Sequence, residues 1–225
     1  MTVKLLGIET ATEACSAAVL VGDQVVERFE VSPRRHNELI LPMCEAVLAD
    51  AGISLKQLDG IAFGCGPGAF TGIRIAASIT QGIALAHDLP VASVSTLANL
   101  AFQADVNTGE LILPAIDARM DEIYWGLYKK VNDNVELVGE EKVQSPHEIS
   151  VTEKISYGLG TGWGAYQEIL LQGINSDAKN ILGDALPHAS VTVKLAKQKY
   201  LNEQMVDSLH ALPVYLRNQV VHQKK

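Results

Sequence analysis

The chain has 225 residues, 48% of them hydrophobic, and a net charge of −8; it is long enough to bury a substantial core as one large domain or two small ones. The acidic surplus argues against a protein that grips nucleic acid alone, because that task needs a basic surface; the pairs Arg34-Arg35, Lys129-Lys130 and Lys224-Lys225 read as solvated surface. No apolar run is long enough to span a membrane, and "MTVKLLGIET" lacks a signal peptide's apolar region, so a soluble cytoplasmic protein is expected. Cys15, Cys44 and Cys65 stand far apart, which implies neither a disulfide framework nor a zinc knuckle.

Alternating apolar runs at residues 3–9, 15–21 and 24–31, broken by "TATEA" and "GD", predict three strands joined by tight turns. A helix follows, with Asn37 as its cap, Ile40, Val47 and Leu48 at helical spacing, and Gly52 as its stop. Pro42 lies too deep for a first-turn proline and predicts a kink or a late start. Next come a buried strand at 60–64, a helix at 71–87, a strand at 90–94 and a helix at 96–104. The polar segment "QADVNTGE", 103–110, marks a boundary. Beyond it, strands at 111–117, 122–130, 135–139 and 155–159 and helices at 163–171 and 187–202 nearly repeat the order, predicting a duplicated α/β architecture.

The string "GIAFGCGPGAFTGIRIAAS" poses a question of chemistry. A strand enters glycines that permit positive φ, and Thr71 opens a helix whose first amides point outward, which makes Gly66, Gly68, Thr71 and Arg74 a candidate anion seat. A Walker loop is excluded, because Gly72 is followed by Ile73 and Arg74 rather than Lys-Ser/Thr. A dinucleotide fingerprint is broken by Pro67, and the next strand ends in Ser95 without a ribose-binding acid. Arg74 faces the positive end of the helix dipole, disfavoured by roughly 0.3–1 kcal/mol, so an anion or an acidic neighbour is expected beside it. The plain alternative is a tight corner.

Between Gly72 and Ala86 the sole charge is Arg74. A helix apolar or small on every side is expected to be covered on both. We read the cover as a partner protein, seated on Phe70, Gly72, Ile73, Ala76, Ile79, Thr80 and Ile83 together with Leu39 and Met43 of the preceding helix.

"LGIETATEACSAAVL", "GPGAFTGIRI" and "PVYLR" resemble the bacterial TsaB (YeaZ) family of the threonylcarbamoyladenosine tRNA-modification pathway, over most of the chain. The resemblance implies the two-lobed α/β fold of actin, sugar kinases and heat-shock ATPases, with duplicated βββαβα lobes at 1–108 and 109–225 and a C-terminal segment packed back on the first lobe. It implies a non-catalytic relative of the transferase TsaD that pairs with a TsaD-like transferase through first-lobe helices, is joined by a TsaE-like ATPase, and meets tRNA only through that complex. The same apolar face predicts a homodimer when the chain is alone. No cofactor is expected, beyond weak ATP or ADP binding in the complex.

In the catalytic relative an HxxxH motif binds a metal; here the corresponding positions are Thr96 and Leu100, so no metal is expected. The superfamily's first phosphate loop, Asp-x-Gly-Thr, is here Glu9-Thr10-Ala11-Thr12, an acid and hydroxyls without the glycine. Glu9, Thr10, Asp117 and Arg119, with the turn "GLGTGW", define a rival reading: a nucleotide-binding phosphotransferase or ATPase working between the lobes. The bland reading of these groups is a hairpin with local hydrogen bonds, a structural ion pair and an ordinary turn. His147-Glu148 begins like HExxH, but residue 151 is Val, and no GxSxG elbow occurs; a peptidase is not supported.

Overall fold

A computed structural model describes residues 2–176 and 180–217; His222 and the Lys224-Lys225 pair lie outside them. Strands β1 (Lys4–Glu9), β2 (Ala14–Val21) and β3 (Gln24–Val31) form the expected antiparallel meander. There follow α1 (His36–Asp50), β4 (Gly60–Gly66), α2 (Phe70–His87), β5 (Val91–Ser95) and α3 (Thr96–Phe102). The sheet order is β3-β2-β1-β4-β5, with β1, β4 and β5 parallel. Every residue of β4 is buried, which explains its unbroken apolar sequence: a central parallel strand has no wet face.

Helix α1 departs from expectation at its start. Arg35, not Asn37, is the N-cap, and no side chain caps the helix. The buried ring of His36 donates from Nε2 to the Thr12 carbonyl at 2.9 Å, which anchors the first turn to the β1–β2 corner. The helix then runs through Pro42, so there is no late start. Gly52, at φ +65°, does follow the helix end, its amide bonded to Ala49.

The second half comprises β6 (Leu111–Arg119), β7 (Glu122–Val131), β8 (Asn134–Gln144), β9 (Val151–Leu159), α4 (Thr161–Gly173), β10 (Ile174–Ser176) and β11 (Ile181–Leu182). Its sheet order is β10-β9-β6-β7-β8, with β11 also pairing with β9. Strand β8 is longer than predicted because a bulge interrupts the pairing: Gly126 of β7 faces residues 139–141 of β8, and Gly139 adopts φ +83°. The last helix, α5 (Ala189–Leu201), packs on β1, β2, β4 and β5 of the first sheet, where the Ala189 amide donates to Ser16 Oγ at 2.9 Å.

Two compact units result: Met1–Gln103 with Leu186–Pro213, and Ala104–Ala185 with Val214–Lys225. In the second, Arg217 pairs with Glu122, reaches the Arg119 carbonyl at 3.4 Å and lies 5.9 Å from the Tyr124 ring centre. Arg217→Ala should lower stability by about 1 kcal/mol in urea unfolding; an unchanged midpoint would show that the clasp contributes nothing.

The dry-helix expectation needs correction. Gly72, Ile73, Ala76 and Thr80 are buried in the unit's own core, while Leu39, Met43, Ile79 and Ile83 are half-buried against it. The far side of α2 is open: Thr71, Arg74, Ser78, Gly82, Leu85 and Ala86 are exposed. Small side chains are the reason, since Ser, Gly and Ala read as apolar in sequence yet leave little hydrophobic surface in water.

Candidate functional site

The glycine corner is a joint between two backbones. The β1–β2 turn pushes into it: the Ala69 amide donates to the Ala11 carbonyl at 2.7 Å, and Thr10 Oγ1 donates to the Gly72 carbonyl at 2.8 Å. A Cβ on Gly68 would lie 2.3 Å from the Ala11 oxygen, and one on Gly72 would lie 2.0 Å from the Thr10 oxygen. Those bare faces are therefore filled by the hairpin itself. The structure brings Glu9, Thr10, Gly68 and Gly72 together, pairs Gly66 with Ser95 of β5, and leaves Thr71 and Arg74 on the outer face. Arg74 lies over the Phe70 ring, its guanidinium carbon 3.7 Å from the centroid, so a π face is part of what offsets the unfavourable dipole.

Glu9 is wholly buried at the end of β1. Its Oε1 accepts from the Ala11 amide at 2.9 Å, and Oε2 has no hydrogen-bond partner among the described residues. Gly64 makes the space: a Cβ there would fall 2.0 Å from Oε2. Burial pushes the carboxyl up to about 7, against the opposing pull of the Ala11 and Thr10 amides. Such a group is a poor fixed anion near neutral pH. Beside it, α5 is anchored by His188, whose Nδ1 lies 3.2 Å from Glu27 and whose ring stacks on Phe29 at 4.3 Å.

Asp117 and Arg119 belong to the second unit, Glu9 and Thr10 to the first. Arg119 donates to Asp117 twice, from Nη1 at 2.7 Å and from its amide at 2.8 Å, so the pair closes its own turn. In "GLGTGW" the space above Gly158 is taken by the indole of Trp163, which donates to the Leu113 carbonyl at 2.8 Å. Thr96 and Leu100 are buried on α3, and among the described residues no three His, Cys, Asp or Glu side chains gather where a metal could sit.

The outer face of α2 is open, with Phe70 (53% exposed) at its tip, and Leu41 (48%) of α1 is exposed as well. Leu85, 72% exposed, is its most prominent apolar side chain and was missed in the sequence reading. Helical angle alone would have found it, since Leu85 projects from the side of Ser78 and Gly82. Also missed were Leu209 and Leu212, exposed on a segment where the 3₁₀ turn Ser208–His210 packs beside α2 and Gln81 bonds the Ala211 carbonyl. Their distance in sequence hid the neighbourhood.

Comparison with known proteins agrees with this architecture. Residues 29–225 match the family model described as TsaD, tRNA N6-adenosine threonylcarbamoyltransferase. The tRNA threonylcarbamoyladenosine biosynthesis protein TsaB of Haemophilus influenzae is 37% identical, over 98% of this chain and 96% of its own. The Escherichia coli protein of the same name is 38% identical, over 98% and 97%. The solved structure of YeaZ from Pseudomonas aeruginosa superposes with a TM-score of 0.86 at 42% identity, covering 95% of this chain and all of that one. The two sheet units are those of the actin-like fold expected from the sequence. The extent of these matches shows that the chain belongs to the TsaB (YeaZ) family.

Proposed function

We propose that this protein is a non-catalytic subunit of the machinery that makes threonylcarbamoyladenosine in tRNA, docking a TsaD-like transferase on the outer faces of α2 and α1. The observation that carries the reading is the open side of α2. It presents Ser78, Gly82 and Ala86 one turn apart, which lets a second helix approach closely, with Leu85 and Ile75 beside them as apolar anchors. The relatives' names supply the pathway. The chain's acidic charge accords with tRNA being held by the assembly rather than by this subunit, and a TsaE-like ATPase joins once the pair has formed. Without the transferase, the same face pairs with a second copy.

Ala76 cannot test this, because an arginine there would disrupt the core. Leu85→Arg can. It should weaken binding to the TsaD-like partner by roughly tenfold to a hundredfold in calorimetry and abolish the homodimer in sedimentation, with an unchanged thermal melt of the monomer. Undiminished affinity would remove α2 from the interface.

A further inference from the structure

The corner between β1 and β2 is held by few bonds. Ladder pairing runs as far as Glu9 with Ser16 on the β2 side and Ile8 with Phe63 on the β4 side. Residues 10–13 leave the sheet there and are seated by single bonds: Thr10 Oγ1 on the Gly72 carbonyl, the Ala69 amide on the Ala11 carbonyl, His36 Nε2 on the Thr12 carbonyl and the Ser32 amide on the Glu13 carbonyl at 3.1 Å. Two of these seats belong to α2, because Ala69 is its N-cap and Gly72 lies in its first turn. Whatever lifts residues 10 and 11 therefore frees the start of that helix.

Glu9 lies under this corner in a place that suits no charge. Its side chain is wholly buried, Oε1 has the Ala11 amide, and Oε2 lies against Gly64 with no partner among the described residues. Thr192 of α5 stands beside it, but its hydroxyl proton goes to the His188 carbonyl at 3.3 Å. No titratable neighbour sets a full positive charge against it. His188, at the head of α5, exerts the smallest pull and is itself paired with Glu27 of β3. Cys15 of β2 is a thiol that burial pushes up to about 12, and His36 of α1 is committed to the Thr12 and Ala14 carbonyls. Lys197 and Lys199 of α5 are bonded at Gly22, Asp23 and Ser93, and Arg74 of α2 lies on the outer face.

A carboxylate sealed from water and short of donors is relieved either by holding a proton or by gaining water. Lifting residues 10–13 is the route to water that breaks few bonds, since the strand behind them is paired on both sides. We propose that Glu9 is a proton-operated latch: while it holds its proton the β1–β2 corner stays seated on the first turn of α2, and losing the proton lets the corner lift and wet the carboxylate. The Ala11 amide opposes the release, but burial outweighs it. Linkage sets the window. The lifted, solvated carboxyl titrates near 4.5 and the seated one at about 7, so lifting becomes easier as pH rises from the first value and levels off above the second, where both forms are ionised.

Amide hydrogen exchange of the full chain, read residue by residue by NMR, tests the latch. The protection factors of the Ala11 and Ala69 amides should fall at least about tenfold between pH 5 and pH 7, whereas that of Gly52, bonded to Ala49 at the end of α1, should stay constant. Glu9→Gln should abolish the pH dependence at Ala11 and Ala69 and keep both at the parent's pH 5 level. Thr10→Val, which removes the bond to Gly72, should lower the protection of Ala69 at every pH and leave its pH dependence in place. The latch is overturned if Glu9→Gln keeps the parent's pH dependence, if Ala11 and Ala69 exchange only through the global unfolding measured in urea, or if Thr10→Val leaves Ala69 unchanged.

Discussion

Glu9→Gln is expected to be more stable than the parent chain at pH 8 by about 3 kcal/mol relative to their difference at pH 4. The folded carboxyl is raised from 4.5 to about 7 by burial, and each unit of displacement corresponds to about 1.4 kcal/mol. The sign follows from proton counting. Between those two values the folded state holds a proton that the unfolded chain has released, so stability from this group is complete below 4.5 and is lost as pH rises through 7. Glutamine keeps an oxygen for the Ala11 amide and carries no charge to desolvate. Urea unfolding of both proteins at pH 4, 6 and 8 isolates the effect, because the other titrating groups are common to the two. Parallel stability curves would mean that Glu9 is solvated or paired in the folded protein.

Gly72→Ala should destabilise the chain by at least about 3 kcal/mol, although alanine is the better helix former by about 1 kcal/mol. The new methyl would sit 2.0 Å from the Thr10 carbonyl oxygen, a backbone atom in a buried corner that cannot swing away. The control lies ten residues along the same helix: Gly82 has nothing within 4 Å of its would-be Cβ, so Gly82→Ala should stabilise by up to about 1 kcal/mol. Opposite signs at two glycines of one helix would establish that the first serves close approach. If Gly72→Ala melts like the parent, the hairpin and helix are not in contact.

The strands of the first unit were legible because apolar runs bounded by turn residues mark strands buried almost throughout, as β1, β2 and β4 are; β1 to β4 fall within one or two residues of expectation. Position on a helix was less legible. Composition alone could not separate Ala76, sealed in the core, from Ala86, in water, because an alanine carries no mark of which side it faces. Long-range choices were hidden as well. Nothing in "ASVTVKLAKQKYL" announces that this helix covers the first sheet, and β10 and β11 are too short to leave a pattern. At the glycine corner the sequence offered a phosphate seat and a tight bend as equals. The atoms that fill the faces of Gly68 and Gly72, the carbonyls of Ala11 and Thr10, lie far away in the chain, and no local motif encodes them.

The placement of α5 bears on how the molecule comes into being. The first sheet needs residues near 200 to cover β1 and β2, so a nascent chain that has emerged through α3 still shows a bare hydrophobic flank. Completion of the amino-terminal unit thus waits until translation is nearly finished, and ribosome-bound intermediates ending before Ala189 should recruit chaperones or be cut by protease where the released polypeptide is not.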